Sequence, residues 1–179
     1  MSGEFDTSNA SFHPVEGVSP ATNAVGQTLT AGLTPSSRVN CSDCHGNSDG
    51  RGASSTGQPN GPHSSASAPL LIKPLLGRAA DDSSGLCYSC HAFEIYGDGS
   101  ADGQPSRSSG FVDANSGAKL HSSHAARGFS CSACHVSHGS ADKPFTLRSD
   151  IGWVVDTSGK GGGSCANGCH SGASKAYSR

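Results

Sequence analysis

The sequence predicts a mostly irregular fold, with few short helices and little other regular structure. Two observations predict it. The first is composition: of 179 residues, 33% are apolar, 6% are aromatic and 25 are glycine, whereas an average domain is about 45–50% apolar on a count that includes glycine. Such a chain buries too little apolar area by itself to offset its conformational entropy. The second is that all eight cysteines form four pairs, each followed directly by a histidine.

The cysteine–histidine motifs predict what supplies the missing core. Residues 41–45, 87–91 and 131–135 have two residues between the cysteines, and residues 165–170 have three. A cysteine pair followed by histidine is the attachment signature of c-type haem, in which the thiols bond the porphyrin and the imidazole ligates iron. The chain is therefore predicted to wrap around four stacked haem c groups as a multihaem cytochrome c. The predicted thioether residues are Cys41, Cys44, Cys87, Cys90, Cys131, Cys134, Cys165 and Cys169, and the predicted proximal ligands are His45, His91, His135 and His170.

Structural zinc and a disulfide framework are the two alternatives for the same cysteines. Two cysteine pairs at this spacing also form zinc ribbons, and an even cysteine count is typical of disulfide-rich domains. Neither chemistry requires a histidine directly after each pair, so haem is favoured. The fourth motif, with its extra residue, is the least regular, and haem is predicted there as well.

The remaining histidines are candidates for the second axial position of each iron. The only methionine is Met1, so coordination by two histidines is expected in place of Met/His coordination. His138 lies too close to His135 to reach the opposite face of the same haem, so it is expected to serve a neighbour. His121 and His124 are spaced to lie on adjacent helical turns and point at different haems. One candidate is surplus, and His121 or His124 is the preferred spare. The distal candidates are His13, His63, His121, His124 and His138.

Two parts of the chain are expected. Residues 1–40, rich in Ser, Thr, Gly and Pro, are predicted to form an extended N-terminal arm, and residues 41–179 a single tetrahaem domain. The longest apolar run, residues 68–76, contains two prolines and a lysine. It is too short and broken to span a bilayer, so no membrane span is predicted and the run is expected to cover a haem face.

Few regular elements are predicted within the domain. Residues 82–84 are typical of a helix N-cap, and the helix is predicted to run through the second motif to about residue 96. A short helix is predicted at residues 120–126. Residues 151–155 are predicted to form a brief strand or to pack on a haem.

Charge and chemistry indicate the compartment. The formal net charge of −2, to which haem propionates add further negative charge, offers no basic surface for nucleic acid. No hydrophobic export segment is visible, yet haem is attached through thioethers outside the cytoplasm. The protein is therefore expected to be exported, with its signal peptide removed, to the cell surface or the extracellular space, with the periplasm as the alternative.

The ligand positions resemble known multihaem cytochromes. The segment Leu120-His121-Ser122-Ser123-His124 before the third motif is similar to cytochrome c3, where two such histidines serve different haems, and residues 131–140 resemble the doubled-CxxCH family. The order of His13, the motifs, His63 and the His-x-x-His segment resembles the tetrahaem extracellular cytochromes that polymerise into conductive filaments, the OmcE type. The cytochrome c3 parallel leaves His13 as the spare, whereas the filament parallel uses it. Cytochrome c3 usually has a second histidine directly after the motif, where this chain has Gly46, Ala92, Val136 and Ser171.

Electron transfer is the predicted function, since an iron with two imidazole ligands has no open position for substrate. The filament resemblance implies a head-to-tail extracellular homopolymer with redox partners, in which His13 is expected to ligate a haem of the adjacent subunit. A soluble periplasmic electron shuttle is the alternative. A multihaem reductase is disfavoured, because it needs a vacant iron position, so the protein is not expected to be an enzyme.

Overall fold

A computed structural model describes residues 2–18, 28–30, 32–48, 61, 65–80, 82–104, 107–155, 163–165, 170 and 175–178. Over these residues the chain is mostly irregular, as predicted. The helices are α1 (Cys41–Cys44), α2 (Phe93–Tyr96) and α3 (Leu120–Ala126), and single 3₁₀ turns occur at Ser2–Glu4, Leu86–Ser89, Cys131–Ala133 and Pro144–Thr146. Within the described ranges, no helix has the length and apolar character needed to cross a membrane.

Two small sheets join segments that are distant in the sequence. In the first, β1 (Ser11–Phe12) pairs antiparallel with β3 (Gly139–Ser140). The second has the strand order β2-β6-β5-β4 and is antiparallel throughout. Its strands are β2 (Val112–Asp113), β4 (Trp153–Val155), β5 (Gly163–Cys165) and β6 (Lys175–Ser178).

The predicted elements compare with the structure in three ways. The helix predicted at residues 120–126 is confirmed as α3, and the strand predicted at residues 151–155 is β4. The continuous helix predicted through the second motif is wrong. It is divided into a 3₁₀ turn and α2, because Ala92 has an extended backbone and donates its N–H to the carbonyl of Thr28.

The N-terminal segment packs against the third motif's downstream loop. Besides the β1–β3 pairing, Ser11 Oγ donates to the carbonyl of Lys143 (2.6 Å) and accepts from the N–H of Thr146 (2.7 Å). Gly139 allows this approach, since a Cβ there would overlap the carbonyl oxygen of Glu4. Residues 2–18 of the predicted arm therefore lie against the body of the chain.

The buried apolar side chains lie beside the cysteine–histidine motifs. Phe12 precedes His13, Tyr88 lies within the second motif, and Leu71 and Leu147 bridge to the first and third. Tyr88 also donates its hydroxyl to the carbonyl of Ala79 (2.6 Å). Part of the apolar packing in the described residues is thus local to the motifs, while the fully buried Ile95 lies in α2.

Candidate metal centres

Each of the first three motifs folds into one helical turn. The histidine N–H donates to the carbonyl of the first cysteine in every case, at 2.8 Å for His45, 2.9 Å for His91 and 3.0 Å for His135. This four-residue hydrogen bond winds the two cysteines and the histidine into a single turn. The short spacing of the motif therefore gathers two thiols and one imidazole locally.

A leucine segment from elsewhere in the chain pairs with each of these turns. Isolated antiparallel bridges join His45 to Leu71, His91 to Leu29 and His135 to Leu147. The hydrogen bonds are equivalent in all three. The residue after the histidine donates to the residue before the leucine (2.8–3.0 Å), and the residue after the leucine donates to the second cysteine (2.9 Å). The three turns are thus held by one repeated device, which we call the leucine clip.

The leucine clips also orient two imidazoles. His45 Nδ1 bonds the carbonyl of Pro69 (3.2 Å) and His135 Nδ1 bonds that of Phe145 (2.8 Å), each acceptor lying two residues before the clip leucine. The backbone there enters the left-handed region, with φ of 60° at Leu70 and 57° at Phe145. Non-glycine residues adopt this conformation at a cost of about 1–3 kcal/mol, typically where function requires it.

Every histidine predicted to be a proximal ligand faces one other histidine. The ring centres are 6.2 Å apart for His45 and His138, 6.3 Å for His91 and His13, 6.3 Å for His135 and His121, and 6.1 Å for His170 and His124. We number these pairs as sites 1 to 4 in the order of the motifs. The other ring contacts of these histidines are shorter, from 4.8 Å to 5.9 Å.

The common separation fits a metal ion between the two rings of each pair. With a metal–nitrogen bond of about 2.0 Å and a ring centre about 1.1 Å from each ring nitrogen, two imidazoles on opposite sides of one metal have centres about 6.2 Å apart. Direct stacking would bring two nearly parallel rings closer than the 6.3 Å at site 3, where the planes differ by 18°. The donor set therefore fits an iron with two histidine ligands.

Hydrogen bonds fix which ring nitrogen is free to ligate. Besides His45 and His135, Nδ1 of His13 bonds the carbonyl of Ser137 (2.7 Å) and Nδ1 of His124 that of Leu120 (2.7 Å). His138 Nδ1 bonds the Glu4 carboxylate instead (2.8 Å). A proton held on Nδ1 leaves the Nε2 lone pair for a metal. The Nδ1 of His121, in contrast, is buried without a hydrogen-bond partner among the described residues.

Burial keeps several of these rings in the metal-binding form. It lowers the pKa of His91 to about 4 and that of His121 to about 3, and the like charges of neighbouring histidines act in the same direction. Burial also lowers the pKa of His13 and His135. These rings keep some accessible surface, but the atoms packed around them disfavour the protonated, positively charged imidazole. The neutral imidazole is the form that binds a metal.

The sites follow one another in the order 1, 2, 3, 4. Cys44 of site 1 lies close enough to Cys90 of site 2 to interact electrostatically, and Cys87 and Cys131, of sites 2 and 3, line one pocket. Leu75 and Leu76 of the apolar run line the same pocket.

Two aromatic rings continue the series of sites. Tyr96 packs on His91 (5.5 Å) and on His121 (5.0 Å), and so joins sites 2 and 3. Phe111 packs on His121 (5.0 Å) and on His124 (5.9 Å), and so joins sites 3 and 4. Sites 2 and 3 therefore share one aromatic side chain, and sites 3 and 4 share another.

The alternative uses of the cysteines have a different geometry. No disulfide joins any two of the seven described cysteines. A structural zinc ion takes four ligands, and no group of three or more His, Cys, Asp or Glu with metal-site geometry occurs in the described part of the chain. The histidines are arranged as pairs.

The candidate residues divide into those brought together and those outside the described ranges. His63 and Cys169 lie outside the described residues, so their positions are not part of this geometry. The preference for His121 or His124 as the spare stays a prediction; the two rings face His135 and His170, which are predicted proximal ligands. The leucine clips, Tyr96, Phe111 and Glu4 are not predicted from the sequence. Only the apolar character of Leu29, Leu71 and Leu147 could have indicated the clips, and their spacing from the motifs follows no rule.

Comparisons with family models, with curated proteins and with solved structures found no significant match.

Proposed function

We propose that the protein is an electron carrier that binds four c-type haems, each tethered by one cysteine pair and ligated by one histidine pair. The observation that supports this most directly is the separation of 6.1–6.3 Å in all four histidine pairs. The distal ligands in this proposal are His138, His13, His121 and His124 for sites 1 to 4. His63 is then the surplus histidine.

The ligand set favours electron transfer over catalysis. A haem with imidazoles on both axial positions accepts and releases electrons at its iron and offers no position to a substrate. The chain supplies both ligands at every site and fixes five of the eight rings through Nδ1. Rings held in place keep the same ligation in both oxidation states, so little reorganisation accompanies electron transfer. A reductase instead requires one site with a ligand missing.

The order of the sites supports transfer along the molecule. Neighbouring cysteines join sites 1, 2 and 3, and Tyr96 and Phe111 join sites 2, 3 and 4. Electrons are therefore proposed to enter and leave at sites 1 and 4, and to pass between them through sites 2 and 3.

Mass spectrometry and spectroelectrochemistry of the exported protein test the proposal. The intact chain is expected to carry four covalent haem masses, and all four are expected to be reduced and reoxidised reversibly while remaining low-spin. A product with fewer haems, with bound zinc, or with substrate-dependent turnover at one iron would contradict it.

The resemblance to filament cytochromes extends the proposal to an extracellular head-to-tail polymer, in which site 4 of one protomer meets site 1 of the next. A linear order with two terminal sites is what such a heterologous, open assembly needs. His13 is proposed to ligate iron within its own chain, where it faces His91, in place of the bond to an adjacent subunit expected from the sequence.

Electron microscopy of native material distinguishes the polymer from a soluble periplasmic shuttle. Filaments support the first and dispersed monomers the second. Monomers released from filaments are expected to keep four low-spin irons. A high-spin iron that appears on release would instead place His13 in the neighbouring subunit's site.

A further inference from the structure

The ligand His138 differs from the other oriented histidines in the charge of its partner. Its Nδ1 bonds the carboxylate of Glu4 at 2.8 Å. His13, His45, His124 and His135 bond neutral backbone carbonyls. Of the five Nδ1 atoms bonded to oxygen in the described ranges, only that of His138 faces an anion.

The position of Glu4 is built into the fold. Glu4 ends a 3₁₀ turn, and the Asn9 side chain donates to the carbonyls of Gly3 (2.8 Å) and Glu4 (3.1 Å). The Glu4 carbonyl lies against Gly139, the residue after His138, where only a glycine leaves room. Phe5 packs on the His138 ring at 4.8 Å. Backbone, amide and aromatic contacts thus bring this carboxylate to this imidazole.

We infer that Glu4 is a positioning residue that holds the reduction potential of site 1 below the value a neutral hydrogen-bond acceptor would give. The inference rests on the proposed function, with His138 as an iron ligand. A carboxylate that accepts the Nδ1 proton makes the imidazole a stronger donor to the metal. Stronger donation and nearby negative charge both favour the ferric state over the ferrous state.

A lowered potential at site 1 affects the direction of electron flow. Site 1 is at one end of the site order, and sites 2, 3 and 4 have neutral Nδ1 acceptors wherever the structure describes one. A low potential at site 1 makes it the less favoured resting place for an electron. Glu4 therefore biases electrons away from site 1 and toward the other end of the molecule.

Potentiometric titration of the Glu4→Gln variant tests this in the holoprotein. One of the four potentials is expected to shift to a more positive value, while the other three stay in place and all irons remain low-spin. The substitution is isosteric and the Glu4 side chain is 53% exposed, so folding is expected to be unaffected. Asp6→Asn is the matched control, because Asp6 lies two residues after Glu4 and the substitution removes the same charge. The Asp6 carboxylate accepts hydrogen bonds from Ser8.

A double-mutant cycle assigns the shift to the hydrogen bond. In a His138→Met background the donor is gone and only the charge of Glu4 remains, so Glu4→Gln is expected to shift the potential of site 1 by less than it does with His138 present. Three results would overturn the inference: no shift in Glu4→Gln, an equal shift in Asp6→Asn, or a shift that is undiminished in the His138→Met background. A wild-type protein without covalent haem would instead overturn the proposed function, and this inference with it.

Discussion

The two halves of the histidine array obtain their proposed distal ligands in different ways. At sites 3 and 4, His121 and His124 both come from α3 and lie three residues apart. At sites 1 and 2, His138 and His13 lie 125 positions apart in the sequence. They meet because β1 pairs with β3 and the His13 N–H donates to the His138 carbonyl (2.8 Å).

Sites 3 and 4 depend on one local helix, whereas sites 1 and 2 depend on tertiary docking. Helix α3 has seven residues, and a helix this short is stable only when tertiary contacts support it. Sites 1 and 2 depend on the N-terminal segment. Three features attach it: the two-residue pairing of β1 with β3, the side-chain hydrogen bond of Ser11, and the close backbone approach at Gly139. A change in one half is therefore expected to leave the other half intact.

Breaking α3 should have the largest effect, because two ligands are lost together. In Ser123→Pro the N–H that bonds the Lys119 carbonyl (3.2 Å) is removed and the ring clashes with that carbonyl, at a cost of about 3 kcal/mol or more. Two of the four irons are expected to become high-spin, as measured by magnetic circular dichroism. Ser123→Ala is the control and should keep four low-spin irons. An intact spectrum in the proline variant would show that α3 does not carry both ligands.

Detaching the N-terminal segment should affect sites 1 and 2 unequally. In Gly139→Ala the new Cβ overlaps the Glu4 carbonyl and crowds Phe12 and Ser11, an overpacking that costs about 1–3 kcal/mol. One iron, at site 2, is expected to lose His13, and the potential of site 1 is expected to rise as Glu4 leaves. Gly3→Ala is the matched control, since its Cβ meets no atom within 4 Å. Equal behaviour of the two variants would argue against the docking of this segment.

Removing a single distal histidine should change one iron only. His13→Ala is expected to convert one of the four irons to high-spin, because His13 is the ring that faces His91. His63→Ala is the comparison and should leave all four low-spin. The reverse outcome, a high-spin iron in His63→Ala alone, would exchange the roles of the two histidines.

The features that could be predicted from the sequence are those that depend on short spacing. The motif turns and α3 depend on residues within seven positions of one another, so their geometry follows from local hydrogen bonds. The proximity of His13 to His91, and of Glu4 to His138, depends on the β1–β3 register, for which two-residue strands carry no alternating pattern. The four-stranded sheet was not predicted, for the same reason. The leucine clips were not predicted either, because each leucine lies 12 to 62 positions from its histidine.

Electron paramagnetic resonance of the fully oxidised protein tests the four histidine pairs most directly. The ring planes differ by 18° at site 3 and by 90° at site 4, with 46° and 72° at sites 1 and 2. Low-spin ferric iron between nearly parallel imidazoles gives a rhombic signal, and between perpendicular imidazoles a strongly anisotropic one. Both signals are expected, with all iron low-spin. A high-spin signal from a quarter or more of the iron would contradict ligation by four histidine pairs.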